Sequence, residues 1–508
     1  MGNKCKGSVS MGTANYILAL DQGTTSSRAM VFDELARERS VSRQPTTQLY
    51  PQPGWVNQDP AEIWATTLET ARTALGQAGL SGREIAGVGI VNQRETLVVW
   101  DQETSKAVTP AIVWQSRQSQ PQVEALLARD MGSAYQRTTG LVPDAYFTAS
   151  KIAWLLETNP NLQRRAEAGE LLAGTVDSWL LWNLSGGTVH ATDVSNASRT
   201  MLFDIETLEW STDLVHDMAI PPQMLPRVVA SAGVSAFTGP ELFGEAIPVS
   251  GIAGDQQAAL FGQTCFAPGE AKNTYGTGSF LLMNTGKELK RSTHRLLSTV
   301  AWKVGDRLDY ALEGSVFISG AAVEWLRDGL GIIESVRDVE PLASSVRDTG
   351  GVTVVPALTG LGAPHWDAAA RGTILGLTRG STPAHIARAT LEAIAFQTRD
   401  VIDAMSADSG IPVTSLRVDG GAARNDLLMQ IQADVLGVPV MRPQNVETTA
   451  VGAAFLAGLG CGLWADQASL KDRWAIERVF EPRISDAERR SRYAIWQLAV
   501  DRSRDWAV

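Results

Sequence analysis

The sequence has little of what marks several large protein classes. Its three cysteines, Cys5, Cys265 and Cys461, stand far apart with no C-x-x-C pair. That leaves neither a disulfide framework nor a structural zinc site, and it fits a reducing compartment. The five histidines, at 190, 216, 294, 365 and 385, show no H-x-x-x-H or H-x-x-E spacing, so metal ligation by histidine is not expected. There is no basic run. Lys and Arg total 44 against 55 Asp and Glu, a net charge of −11, which gives no electrostatic footprint for nucleic acid or an anionic membrane. The most apolar stretch, 450–465, is about 16 residues against the roughly 20 that a spanning helix needs. Gly458, Gly460 and Gly462 interrupt it, so it reads as a buried helix with a glycine stop rather than a membrane insertion. The opening MGNKCKGSVSMG lacks the apolar core of a signal peptide, and Lys6 stands where a myristoylation site needs Ser or Thr. Residues 1–13 read as a leader or disordered N-terminus, with Met11 as an alternative start, and the expected location is cytoplasmic.

What is present is ample. A chain of 508 residues that is 44% hydrophobic has length for two to four domains with large cores. Short apolar strands are predicted at 16–20, 28–32, 85–91 and 96–100, with an amphipathic helix over 61–78. After residue 270 the theme restarts, with strands at 271–275 and 279–283 around Gly276-Thr277-Gly278 and long helices over 320–329, 384–405, 425–436 and 486–505. LALDQGTTSSRAMVF and AKNTYGTGSFLLMN are the same unit, an apolar strand, a Gly/Thr turn and a second strand. Their spacing of about 250 residues indicates duplicated domains rather than a solenoid. Two such units facing each other would set their turns on opposite walls of one cleft.

Several clusters carry chemistry. In Asp21-Gln22-Gly23-Thr24-Thr25-Ser26-Ser27-Arg28 a hairpin turn offers backbone N–H groups, hydroxyl donors, a cation and an acid able to hold Mg²⁺, a set suited to a nucleoside triphosphate. A Walker A loop is absent, since Gly286-Lys287 is followed by Glu288, and so are the protein-kinase signatures. Gly420-Gly421 and Asn425 lie in a strand–turn–helix segment where a flat nucleotide can approach; for Asn425 a plain N-cap role stands equal. Asp255, among small apolar neighbours in GIAGDQQAALFG, is either a base for a substrate hydroxyl or a first-turn helix acid. Arg94-Glu95, between two strands, is either a grip for vicinal hydroxyls or a strand-edge ion pair.

Together these stretches, with YPQPGWVNQDP, AIVWQSR and VPALTGLGAPHWD, resemble the glycerol kinases, a group in the FGGY carbohydrate kinase family of the actin/Hsp70-like ATPase superfamily. The resemblance runs from about Tyr16 to Trp506. It implies an α/β protein of two ribonuclease H-like (actin-like ATPase) domains with an interdomain cleft: 14–263 for glycerol and phosphate, 264–508 for nucleotide. The implied reaction is Mg²⁺-dependent transfer of the γ-phosphoryl of ATP to a terminal hydroxyl of glycerol, giving sn-glycerol 3-phosphate. Carried over residue by residue, it makes Asp255 the general base and has Arg94, Glu95, Asp255 and Gln256 bind the glycerol oxygens, with Trp114, Tyr146 and Phe280 walling its carbons. Asp21 stands near the metal. Thr24, Thr25, Ser26 and Arg28 contact phosphates, Thr277 lies on the γ-phosphate side, and Gly320, Glu324, Gly421 and Asn425 line the nucleotide. A homodimer or homotetramer is also implied.

Some positions depart from the pattern. Glu324 replaces the usual Gln, and a carboxylate donates nothing unless protonated. Glu245 and Ala246, in Gly239–Pro248, stand where fructose 1,6-bisphosphate would meet positive charge in some relatives, so weak or no inhibition is expected. The histidine phosphorylated in some relatives has no counterpart, since none lies between His216 and His294. The competing readings are a pentulose or erythritol kinase of the same family and, in another class, a non-catalytic actin-like ATPase that binds partners.

Overall fold

The computed structural model describes residues 14–507, so the reading of 1–13 as a leader lies outside the described residues. Thirteen strands form one hydrogen-bonded sheet. In the first half they are β1 (Tyr16–Gln22), β2 (Ser26–Phe32), β3 (Glu38–Pro45), β4 (Ile85–Asn92), β5 (Ala232–Phe237) and β6 (Pro248–Gly254). In the second they are β7 (Ala271–Tyr275), β8 (Ser279–Gly286), β9 (Leu297–Val304), β10 (Arg307–Val316), β11 (Leu416–Asp419), β12 (Val440–Pro443) and β13 (Ile476–Phe480). Their order is β13-β12-β11-β7-β8-β10-β9-β5-β6-β4-β1-β2-β3.

The repeat read from sequence is a repeat of topology. β1 pairs antiparallel with β2 and β2 with β3, while β4 and β6 follow in parallel on the other side of β1. In the second half β7 pairs antiparallel with β8 and β8 with β10, while β11 and β12 follow in parallel on the other side of β7. Within the sheet the halves join at the pair Ala232 opposite Val304, between β5 and β9. β3, β5, β6, β9, β12 and β13 escape the sequence reading: β6 is rich in small residues (PVSGIAG), and β13 (IERVF) is exposed over most of its length.

Helices cover the sheet. Those used below are α1 (Pro60–Ala78), α2 (Asp255–Gly262), α3 (Gly320–Asp328), α4 (Pro383–Ser409), α5 (Asp426–Leu436) and α6 (Thr448–Gly460). α1 begins where expected because Asp59 accepts a hydrogen bond from the Ala61 N–H and Pro60 needs no donor at the first helical position. α6 is the buried helix read at 450–465, and among the described residues no helix is long and apolar enough to cross a membrane.

α6 belongs to the second half in sequence yet packs on β1, β4 and β6 of the first, and against α2. One apolar core therefore joins residues of both halves, including Ile17, Val91, Phe261, Leu282, Trp302 and Phe455. The α2–α6 crossing is a backbone contact. A Cβ at Gly452 would stand 1.8 Å from the Ala258 carbonyl oxygen, a distance only glycine permits. Cys265 and Cys461 are free thiols.

Candidate functional site

Parallel strands β1, β4 and β6 end side by side, Asp21 opposite Val91 and Gly254 opposite Asn92. Open α/β sheets bind ligands beyond such carboxyl ends. Here those ends deliver Asp21, the segment Gln93-Arg94-Glu95, and Asp255 at the first turn of α2.

The β1–β2 turn is closed by Gly23 N–H donating to the Ser26 carbonyl at 2.9 Å. The Thr24 hydroxyl accepts from Trp114 Nε1 at 2.9 Å, and its carbonyl accepts from Gln58 Nε2 at 2.6 Å. Thr25 is exposed. Ser26 is buried, its hydroxyl accepting from Arg43 Nε at 3.0 Å. Arg28 pairs with Glu447 from the second half and stands 3.9 Å from Asp21. Burial pushes the Asp21 carboxyl up to about 6 against the pull of Arg28, and Asp255 and Glu447 add to the rise.

Arg94 and Glu95 are both buried and form a loose ion pair, Arg94 Nε lying 3.7 Å from Glu95 Oε1, while each makes its hydrogen bonds with other partners. Arg94 instead grips Glu313 on β10 with two bonds of 2.5 and 2.9 Å, donates to Gln257 at 3.1 Å, and stands 3.2 Å from Asp255. Glu95 has φ 60°, an uncommon backbone for a non-glycine residue, and accepts from Arg199 Nε at 2.6 Å. Among the described residues its Oε2 accepts no hydrogen bond. Arg199 also donates to Glu313 at 3.0 Å. Burial acts most strongly on Glu313, yet the guanidiniums of Arg199 and Arg94 hold its carboxyl down at about 2. Burial raises Glu95 despite the same two arginines.

Over this floor stand three rings. Trp114 meets Tyr146 edge-on at 5.5 Å and Phe280 at 6.5 Å, so a wall from the first half touches one from the second. The Tyr146 hydroxyl is raised by burial, then by Glu95. Asp255 is one-third exposed, the most open acid of the cluster, and Gln256 is buried beside it.

The second turn is stitched to α3: Gly320 N–H donates to the Gly276 carbonyl at 3.0 Å, and the Thr277 carbonyl accepts from Ser319 and Ala321 at 2.9 and 3.0 Å. A Cβ at Gly320 would stand 2.5 Å from the Gly276 oxygen. The Thr277 side chain is exposed. Gly421 has open space above it, which suits a flat ligand. Asn425 is the N-cap of α5, accepting from Leu428 N–H at 2.8 Å, so the capping role is the one seen. Glu324 is exposed, without a hydrogen bond. Outside the cleft, Glu245 forms an exposed ion pair with Arg83 at 2.9 Å.

Glu313, Arg199, Lys272, Gln257 and Glu447 were missed from sequence. Glu313 and Lys272 lie in strands that hold other polar residues, so their burial left no local signal in the sequence.

Comparison with known proteins agrees with this architecture. The model for the N-terminal domain of the FGGY family of carbohydrate kinases matches residues 16–262, and the model for its C-terminal domain matches 271–461. A glycerol kinase of Aromatoleum aromaticum is 57% identical over 97% of this chain and 100% of that protein. Another, from Symbiobacterium thermophilum, is 56% identical over 97% and 99%. Among solved structures, Plasmodium falciparum glycerol kinase with ADP superposes at TM-score 0.91 with 34% identity, covering 97% of this chain and 99% of that one. A ligand-bound xylulose kinase of Lactobacillus acidophilus shares the fold at TM-score 0.85 and 21% identity over 96% and 97%. With both domain models matched and the two turns facing one cleft, the chain belongs to the FGGY family of carbohydrate kinases.

Proposed function

We propose that the chain is a glycerol kinase that moves the γ-phosphoryl group of ATP to a terminal hydroxyl of glycerol, giving sn-glycerol 3-phosphate. The observation that carries the reading is the small cage at the cleft floor, where Arg94, Glu95, Asp255 and Gln256 lie under Trp114, Tyr146 and Phe280. Three rings bound the carbons closely, which favours a three-carbon polyol over a pentulose.

In this reading residues 14–263 bind glycerol and phosphate and 264–508 bind the nucleotide. Glu95 Oε2 accepts from one hydroxyl and Arg94 donates to another. The Asp255 carboxylate accepts the proton of the attacking hydroxyl, and Arg94 at 3.2 Å holds that carboxylate in place. Thr24, Thr25 and Thr277 offer hydroxyls to phosphate oxygens, and Arg28 adds a cation once it is shared with Glu447. Gly320, Gly421 and the α5 start, with Asn425, bound the nucleotide. Phosphoryl transfer asks mainly for positioning and charge neutralisation, which such a set supplies.

Among the described residues no cluster of three or more His, Cys, Asp or Glu could hold a metal ion. Mg²⁺ needs only one or two carboxylates beside phosphate oxygens and water, and the largely buried Asp21 fits that part. Bound there with ATP, Mg²⁺ would neutralise the phosphate charge. The same reading places the enzyme in the cytoplasm as a homodimer or homotetramer, which light scattering on the purified protein decides.

The test is a coupled assay of ADP release with and without glycerol, beside a panel of pentuloses and erythritol. Glycerol-dependent ADP release is expected, with glycerol the substrate of highest kcat/KM; a pentulose in first place rejects the assignment. Asp255→Asn should lower kcat by about 10²- to 10⁴-fold while calorimetry still detects ADP and glycerol binding.

A further inference from the structure

Lys272 is a buried cation with no part in the cage described above. It lies on β7 in the second half, and its ammonium has three acceptors: the Gln256 side-chain oxygen from the first half, the Thr274 hydroxyl at 2.8 Å and the Phe280 carbonyl at 3.3 Å. An ammonium has three donors and accepts nothing, so the three contacts use it completely. Two of them reach the polyol cage, since Gln256 is a floor residue and Phe280 supplies one of the three rings. The remaining charges around Lys272 are Asp419, Asp255, Glu313 and Arg94.

The consequence lies in the amide. Rotating a glutamine amide by half a turn exchanges a donor for an acceptor at nearly the same place. Facing an ammonium, Gln256 must present its oxygen to Lys272, which leaves its NH₂, unbonded among the described residues, free to donate to a ligand. Building on the proposed glycerol site, we infer that Lys272 is a positioning residue that sets substrate specificity: it locks Gln256 as a donor toward the polyol and pins the Phe280 wall, so the cage selects a hydroxyl that accepts at that point. A group offering only donors there, such as a protonated amine, is rejected.

Wild type, Lys272→Met and Lys272→Arg are compared by steady-state kinetics with glycerol and with the two aminopropanediols, in which an amine replaces one glycerol hydroxyl. Wild type should prefer glycerol strongly over at least one aminopropanediol. Lys272→Met should raise the glycerol KM about tenfold or more, change kcat less, and narrow that preference; Lys272→Arg, which keeps charge and donors, should retain it. Burial brings the Lys272 ammonium down to about 8 against Asp419, Asp255 and Glu313. It therefore loses its proton as pH rises through that value, and the wild-type glycerol KM should climb there while that of Lys272→Arg stays level.

Thermal unfolding and ADP affinity confirm that each variant is folded. A folded Lys272→Met with unchanged KM and preference overturns the inference alone. So does a wild-type KM that is flat through pH 8, a measurement that stands even if Lys272→Met does not fold. Absence of glycerol turnover by the wild type overturns the functional reading and this inference with it.

Discussion

The two hairpin turns of the repeat use the same residue types and are held by different means. The first is fixed by side chains from distant parts of the chain: Trp114 and Gln58 both bond Thr24, and Arg43 takes Ser26. The second is held mainly by backbone, its carbonyls at Gly276 and Thr277 accepting from the amides that open α3, with the Ser279 and Ser319 hydroxyls bonded beside it at 2.8 Å. In the first turn the Thr24 oxygen is already an acceptor, so its hydroxyl is oriented by Trp114 and keeps its own hydrogen to donate. In the second, the Thr277 hydroxyl is free to rotate. A duplicated unit has thus become a preset wall and an adaptable one, which suits a cleft that must admit and release nucleotide.

The comparison is broken most severely at Gly320. Gly320→Ala drives a Cβ to 2.5 Å from the Gly276 oxygen and must displace the second turn. A misplacement of that order costs up to about 100-fold, expected in kcat/KM for ATP with the glycerol KM little changed, as initial rates at varied ATP and varied glycerol would report.

Beside the first turn, the raised Asp21 carboxyl sets an acid limit. It gains its proton as pH falls through about 6 and then offers no charge to a cation. The kcat/KM for Mg-ATP should therefore be level above that value and fall below it by up to about tenfold per pH unit; Asp21→Asn should abolish this limb.

Trp114→Phe keeps the ring but removes the donor to Thr24. The loss of about 0.5–1.5 kcal/mol predicts a two- to tenfold rise in the KM for ATP, and a larger change in glycerol KM than in ATP KM would place Trp114 with the polyol wall only. The smallest effect is at Glu324. Exposed and unbonded, it should tolerate Glu324→Gln within about twofold in the KM for ATP, and a clear gain in affinity would mean that the usual glutamine contacts the nucleotide.

The sequence revealed what is clustered along the chain and hid what is assembled across it. Both turns, the repeat, Asp255 and Arg94-Glu95 were legible because their glycines, threonines and charges are neighbours. The clamp on Arg94 was not, since Glu313 comes from 219 residues away, nor was the tie between Arg199 and Glu95, 104 residues apart. Local reading also left two roles open at Asn425 and Arg94-Glu95. The fold adds an N-cap bond at Asn425 and an ion pair of 3.7 Å at Arg94-Glu95, with further partners for each charge, and neither excludes a part in ligand binding. Strands β6 and β13 were lost for a different reason, as neither carries a run of large apolar residues.

The α2–α6 crossing has a mechanical meaning. Asp255 opens a helix whose far end touches α6 backbone to backbone, with no side chain between to act as a cushion. Such a contact has no slack: sliding by a fraction of an ångström meets hard-sphere repulsion. The helix that carries Asp255 is therefore bolted to α6, so a side chain added at this crossing would shift the proposed base without touching the site.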